Sequence, residues 1–204
     1  IMQDIVGGKA TAADMAGYYE AQKTDWPAGV MRMTYTSNHD QNTWDGTPFE
    51  IYGDALEAAM VLSFTGEGMP LIYNGQEAGN DKRLAFFEKD LIRWRDDHPL
   101  GGLLKDLVAL KTDNDVLHNG AWGARAEVLV HDSGEDVLAF IRRDASGDKA
   151  VLGVFNLSAR PQTIQFSDAR SFGDYAAFQT DRPITVSDKT EIELEPWDYR
   201  VFVR

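Results

Sequence analysis

The fold is decided by two stretches, Val-Met-Arg-Met-Thr-Tyr-Thr-Ser-Asn-His-Asp at residues 30–40 and Met-Pro-Leu-Ile-Tyr-Asn-Gly-Gln-Glu at residues 69–77. Each begins with a short run of the kind that forms a β-strand, Val30–Ser37 in the first and Met69–Tyr73 in the second. Each run then gives way to polar residues. The sequence therefore predicts two strands that end in polar loops.

A helix is predicted between these strands. Thr47, Pro48 and Glu50 supply a cap, a proline at the first helical position and a glutamate at the third. Apolar residues recur at helical spacing as far as Phe64, and Gly66 follows as a stop signal. A strand, a crossover helix and a second strand form a βαβ unit with parallel strands. In a (β/α)₈ barrel the chemistry lies at the carboxyl ends of such strands, but a doubly wound sheet would give the same local pattern.

Further helices are predicted on both sides of this unit. Thr11 and Asp14 have the spacing of a capping box, which indicates the start of an exposed helix. That helix should reach Lys23 and end at the turn residues 26–29. After the second strand we expect, in order, a short helix at 84–95, an interruption at 99–102 and a helix from 103 to about 111.

The second half of the chain has the pattern of a β domain. Turn signals separate short β-type runs at 128–130, 137–141, 151–155, 163–166, 192–194 and 199–203. Short strands in series predict an antiparallel sandwich. The predicted domains are therefore 1–115, of α/β type, and 116–204, of all-β type.

Composition limits the classes of partner. The net charge of −13 repels phosphate backbones, so nucleic acid is not expected as a partner. The chain has no cysteine, which excludes disulfides, thiolate metal sites and a cysteine nucleophile. No apolar run approaches the roughly 18 residues of a membrane span. The first residue is Ile1 and no leader follows it, so we expect the chain to be processed, trimmed or cloned from a longer protein.

Asn38-His39-Asp40 is the first candidate for chemistry. On its own the tripeptide is more typical of a strand-end turn in which Asn38 and Asp40 cap the backbone. The polar end of the second strand, Asn74–Glu77, lies one crossover later. The two polar ends should therefore be neighbours, which favours a site.

These stretches resemble the α-amylase family of glycoside hydrolases. Residues 36–40 are similar to the family's fourth signature region, at the end of barrel strand seven. Residues 68–79 resemble its strand-eight segment, with the glycine, proline, Ile-Tyr pair and glutamate in order. Phe86-Phe87 with Ile92-Arg93-Trp94 resembles the stretch that follows, and 103–117 the last barrel helix. The resemblance implies an α/β fold that comprises the last strands and helices of a (β/α)₈ TIM barrel, followed by a β-sandwich.

The resemblance also implies a chemistry, the retaining cleavage of α-glucosidic bonds in starch-like glucans. Asp40 would be the carboxylate that stabilises the positively charged transition state, and His39 would bind the same sugar. Trp44 is a candidate sugar platform on the loop, although a structural role is equally expected for it. Asn38 would hold the loop, and Glu77 would support the site without reacting.

Two catalytic groups of the family have no counterpart in residues 1–204. These are the aspartate nucleophile of a Gly-x-Arg-x-Asp segment and the glutamate acid/base. The family's usual calcium site also belongs to earlier regions, so neither a metal nor a cofactor is expected here. We therefore expect the chain to be inactive alone and to pair with the missing N-terminal part of the same enzyme. The resemblance favours a periplasmic or extracellular location, which the residues themselves leave open.

Two other functions stay open at this level. The first is a glucanotransferase of the same family, because late signatures do not separate hydrolysis from transfer. The second is a non-catalytic carbohydrate-binding module, in which the β domain would matter most.

Overall fold

The computed structural model describes residues 1–27 and 29–204, so Ala28, within the predicted break at 26–29, lies outside the described residues. The helices are α1 Met2–Val6, α2 Ala12–Asp25, α3 His39–Trp44, α4 Pro48–Tyr52, α5 Leu56–Thr65 and α6 Pro99–Asp113. The strands are β1 Met33–Thr34, β2 Met69–Pro70, β3 Glu127–Val128, β4 Val137–Arg143, β5 Ala150–Asn156, β6 Gln162–Gln165, β7 Gly173–Ala177, β8 Pro183–Val186, β9 Glu191–Leu194 and β10 Tyr199–Val203. None of the helices among these residues combines the length and the apolar character that crossing a bilayer requires.

Strands β1 and β2 pair in parallel, as predicted. Met33 of β1 lies opposite Met69 of β2, and the Leu71 amide donates to the Thr34 carbonyl at 2.8 Å. The regular ladder is shorter than the predicted runs, because each strand has two residues. These strands are the only parallel pair among the described residues, so a complete barrel is not seen.

The crossover between β1 and β2 begins as predicted but is interrupted. The Thr47 amide donates to Glu50 Oε2 at 2.7 Å and the Glu50 amide to Thr47 Oγ1 at 3.2 Å, which is a capping box. The predicted continuous helix is wrong at Gly53, where φ is 50°. Glycine adopts positive φ at little cost, so α4 ends there and a 3₁₀ turn, Gly53–Ala55, leads into α5.

The predicted short helix at 84–95 is wrong, since this segment is irregular. Its backbone bonds to side chains elsewhere, such as the Leu84 amide to Asn42 Oδ1 at 2.8 Å, in place of helical partners. The predicted interruption at 99–102 is also wrong. Pro99 is the first residue of α6, a position that proline tolerates well, and the Leu100 amide donates to the His98 ring at 3.3 Å.

The second half of the chain forms antiparallel sheets. A six-stranded sheet has the order β3-β4-β5-β10-β7-β8, and a second sheet pairs β6 with β9. Five of the six predicted runs coincide with strands, and the sixth, 128–130, overlaps β3 only at Val128. Sequence reasoning missed β7 and β8, whose alternation is weak and which begin at the turn formers Gly173 and Pro183.

The six-stranded sheet is buried on both faces. Side chains alternate along β4, so Leu138 and Phe140 face the cluster that contains α2, α5 and α6. Ala139 and Ile141 belong to a second cluster, which includes β6 and β9 residues such as Ile164. The first cluster contains residues from before and after position 115. The predicted domain boundary at that position stays a prediction.

Two cations hold the end of α5 against the rest of the fold. Arg142, on β4, is buried, and its guanidinium donates to the carbonyls of Gly66 at 2.7 Å, Thr65 at 3.3 Å, Ala124 at 2.8 Å and His118 at 2.8 Å. Burial lowers the pKa of Arg142 to about 10.

Lys111 of α6 binds the same region. Its Nζ donates to the carbonyls of Leu117 at 2.6 Å and Phe64 at 3.4 Å. Burial, and after it the charge of Arg142, lower the pKa of Lys111 to about 7. The last carbonyls of a helix lack partners within the helix and carry its negative end. The Arg142 guanidinium supplies both donors and positive charge there, and the Lys111 amine supplies a further donor.

Arg142→Ala should lower the free energy of unfolding by on the order of 3–5 kcal/mol, because buried carbonyl oxygens lose their donors. Denaturant unfolding followed by circular dichroism measures this loss. The matched control is Arg160→Ala, which removes an exposed ion pair with Asp136 and should cost less than about 1 kcal/mol. Equal losses in the two variants would contradict the role given to Arg142.

Candidate functional site

The polar ends of the two parallel strands are tied together. The Gln76 side chain donates through Nε2 to Thr36 Oγ1 at 2.7 Å and accepts from the Tyr73 amide at 2.7 Å. Both Thr36 and Gln76 are buried. The residues that follow β1 are thereby held next to the loop that follows β2, as the βαβ pattern predicted.

Asn38 starts the helix that carries the candidate catalytic residues. Its Oδ1 accepts from the amides of Asp40 and Gln41, each at 2.9 Å, so Asn38 is the N-cap of α3. Asn38 thus holds the start of α3, and its part in a functional site stays a prediction.

Asp40 lies in the first turn of α3 and not directly at a strand end, because the Asn38 cap begins a helix there. Its side chain is 62% exposed and that of His39 71%, and His39 Nε2 lies 3.6 Å from Asp40 Oδ1. The two polar groups therefore point into open space beside each other. A ligand that reaches this surface can meet a carboxylate and an imidazole together.

Trp44 ends α3 and belongs to an exposed aromatic group. Its ring centroid lies 5.6 Å from that of Phe86, which lies 5.9 Å from His39 and 4.7 Å from Phe87. Trp44 is 62% exposed and Phe87 is 86% exposed. Sequence reasoning did not single out Phe86 and Phe87 as site residues, although two adjacent aromatics soon after a strand-end loop were a usable signal.

A polar clamp holds the aromatic loop to α3. Buried Asn42 accepts from the Leu84 amide at 2.8 Å and donates to the Lys82 carbonyl at 3.4 Å, while Thr43 Oγ1 donates to the Leu84 carbonyl at 2.7 Å. This role for Asn42 and Thr43 was also missed, because their partners lie about 40 residues away in sequence.

A second anchor of the same loop is the ion pair between Arg83 and Glu50. Arg83 Nε donates to Glu50 Oε2 at 2.9 Å. This hydrogen bond, and next the bond from the Thr47 amide, lower the pKa of Glu50 to about 2. The Glu50 carboxylate therefore binds both Thr47, the cap of α4, and Arg83 in the loop after β2.

Glu77 shapes its own loop. Its Oε2 accepts from the Gly75 amide at 3.0 Å, where glycine has a φ of 94°. This hydrogen bond joins the Glu77 side chain to the loop backbone, and its supporting role in a site stays a prediction. Among residues 1–27 and 29–204, no three His, Cys, Asp or Glu side chains form a group able to hold a metal ion.

The chain is similar in sequence to a known α-amylase. The α-amylase MalA of Haloarcula japonica is 31% identical over 162 residues, which cover 78% of this chain and 23% of that protein. This chain is a relative of the α-amylases. The resemblance found in residues 36–40 and 68–79 is thereby confirmed. No protein-family model matches the chain.

Solved α-amylase structures share the fold. The noncanonic maltogenic α-amylase AmyB from Thermotoga neapolitana has a TM-score of 0.80 at 17% identity, covering 98% of this chain and 47% of that one. An α-amylase from Lactobacillus plantarum has a TM-score of 0.74 at 21% identity, covering 99% and 45%. The α-amylase GTA from Geobacillus thermoleovorans, complexed with acarbose, has a TM-score of 0.71 at 16% identity, covering 100% and 46%.

This α-amylase relative therefore spans less than half the length of the proteins it matches. The described residues place His39, Asp40 and Trp44 on the short helix α3, with Asn38 as its N-cap. Glu77 lies on the adjoining loop.

Asn42→Leu should detach the aromatic loop, because the Leu84 amide would lose its acceptor in a buried place. We expect a loss of about 1–3 kcal/mol in the free energy of unfolding and faster hydrogen–deuterium exchange at Leu84. Asn74→Leu, the same change at an exposed asparagine, is the matched control. Unchanged exchange at Leu84 in Asn42→Leu would show that the clamp does not hold the loop.

Proposed function

We propose that residues 1–204 supply part of the active site of a retaining glycoside hydrolase of the α-amylase type. The observation that carries this proposal is the adjacent pair His39 and Asp40 on α3, beside two tied parallel strands, in a chain related to an α-amylase. The substrate class is an α-glucan or maltooligosaccharide. The acarbose complex of the Geobacillus enzyme makes an oligosaccharide the natural first probe.

Asp40 would act on the charge that develops during cleavage. Retaining glycosidases pass through an oxocarbenium-like transition state, and a fixed carboxylate near the ring lowers its free energy. His39 would donate a hydrogen bond to a hydroxyl of the same glucose ring. Trp44 would pack its face against the apolar face of a sugar.

The remaining catalytic groups would come from outside residues 1–204. The nucleophile and the acid/base of the family have no matching segment here, and the family's calcium site would also lie elsewhere. The strands β1 and β2 would be the last two of a (β/α)₈ barrel whose other strands belong to the missing part. The side chain of Asp40 is 62% exposed, and electrostatic stabilisation needs a site from which water is excluded, so the proposal requires other residues to cover Asp40.

The chain of 204 residues should therefore not hydrolyse a chromogenic maltooligosaccharide by itself. Without a nucleophile and an acid/base, the release of nitrophenol should equal that of a buffer blank. Protein purified from an amylase-free host excludes contamination. Turnover that copurifies with the chain would show that residues 1–204 hold a complete catalytic set.

In the full-length protein, Asp40→Asn should keep the fold and lower kcat by roughly two to three powers of ten, about 3–4 kcal/mol of transition-state stabilisation. Steady-state kinetics on maltoheptaose measures the change. Asp45→Asn is the matched control, since Asp45 is an exposed acid at the end of the same helix. A near-normal kcat in Asp40→Asn would remove Asp40 from the reaction.

A further inference from the structure

A small polar cavity lies where α2, the residues that precede β1 and β2, and the second half of the chain meet. Its carboxylate, amide and guanidinium groups belong to Gln22, Arg32, Glu67, Arg125 and Arg142. Its volume of about 40 Å³ exceeds the roughly 10–15 Å³ that one water molecule requires, so it can hold a water or an atomic ion. Asp40 follows the carboxyl end of β1, whereas this cavity lies at the amino ends of β1 and β2. The cavity is therefore separate from the residues assigned to the reaction.

Two side chains at the cavity have hydrogen-bond donors in surplus. Gln22 is only 3% exposed, and its Nε2 has no hydrogen-bond partner among residues 1–27 and 29–204. Arg142 Nη2 carries two hydrogens, and within the described part of the chain it donates to one acceptor, the His118 carbonyl. Buried polar groups without a protein partner are normally satisfied by an ordered water or an ion. An occupant of this cavity would have to accept hydrogen bonds.

The charge around the cavity is positive, although the chain as a whole carries −13. The guanidinium groups of Arg32, Arg125 and Arg142 share the walls with one carboxylate, that of Glu67. Both oxygens of Glu67 already have partners, since Oε1 accepts from the Ala126 amide at 2.7 Å and Oε2 from Arg125 Nη1 at 3.2 Å. The walls therefore have two positive charges in excess. A charge in such a buried place acts more strongly on an ion than it would in water.

Other contacts hold these cations in position. The Arg32 guanidinium lies over the rings of Tyr18 and Trp26, at 4.7 and 5.5 Å from their centroids. Arg125 Nη1 also donates to the Gln22 carbonyl at 3.4 Å. Arg142 is fixed by the four carbonyl oxygens described above. A ligand would thus meet donors that are already in place, which reduces the entropy that binding costs.

We propose that this cavity binds a small inorganic anion of the size of chloride, which accepts hydrogen bonds from Gln22 Nε2 and Arg142 Nη2. A water molecule would bring two hydrogens of its own into a cavity rich in donors, whereas a halide only accepts. The anion offsets the excess positive charge where α2 and β4 meet. Because the unfolded chain has no such cavity, the bound anion stabilises the folded state. This inference does not depend on the proposed function.

The first test compares the thermal unfolding of the protein in sodium chloride, sodium bromide and sodium gluconate at equal ionic strength. Gluconate is too large for the cavity. For a chain of 204 residues, chloride and bromide should raise Tm by roughly 5–10 °C at a hundredfold excess over Kd, in a saturable way.

Gln22→Glu places a carboxylate in the cavity and should abolish this halide-dependent rise, because like charges repel. The matched control is Gln3→Glu, the same change at an exposed glutamine of α1, which should retain the rise. The control also separates binding in the cavity from the general effects of each salt on protein stability.

A second test needs no variant. Crystals grown in sodium bromide should give an anomalous difference peak at the bromine absorption edge, within hydrogen-bonding distance of Gln22 Nε2 and Arg142 Nη2.

Three results would overturn the anion site. One is a cavity that holds water and shows no anomalous peak in these crystals. Another is a dependence of Tm on the salts that is the same in wild type and Gln22→Glu. The third is a peak in the cavity without a halide-dependent Tm, since the ion would then bind only at the bromide concentration of the crystals. If Gln22→Glu does not fold, the wild-type Tm and the crystals decide together.

Discussion

The carboxyl end of helix α5 is the point on which the two halves of this protein depend. A helix that ends inside a protein leaves carbonyl oxygens without partners, and here Arg142 and Lys111 supply the donors. Because Arg142 stands on β4 and Lys111 on α6, the same bonds join the crossover helix to the β sheet. Removing either donor would leave a buried carbonyl oxygen without a hydrogen-bond partner. The packing on both sides of the sheet depends on the two donors staying in place.

A series of contacts connects the end of α5 to the candidate site. Helix α5 packs in the first core cluster and leads into β2, and β2 is tied to the end of β1 through Gln76. The end of β1 carries Asn38, whose cap begins α3. Bonds from α3 to the loop after β2 then fix Phe86 and Phe87. These bonds join the backbone segments around the site, whereas His39, Asp40 and Trp44 are left exposed.

Sequence patterns were a good guide wherever a structure depends on near neighbours. The capping box at Thr47 and Glu50 joins residues three apart, and the parallel pairing of β1 and β2 follows from one helix between them. Six of the strands in the second half could be located from their short apolar runs. The resemblance of residues 36–40 and 68–79 to the α-amylases could also be recognised from the sequence, because each motif consists of consecutive residues. The roles of His39, Asp40 and Trp44 in chemistry stay predictions.

By itself the sequence determined the βαβ unit, the β-rich second half and the kinship with the α-amylases. Only the tertiary structure decided that residues 84–95 form an anchored loop, that Gly53 divides the crossover helix and that Phe87 stands beside the helix of Asp40. The physical reason is the distance in sequence between partners. Asn42 binds Leu84 across 42 residues, and Arg142 binds Gly66 across 76, so no local propensity records either bond. Such long-range hydrogen bonds override the helical pattern of a segment, because a buried polar group must find its partner wherever the fold supplies one.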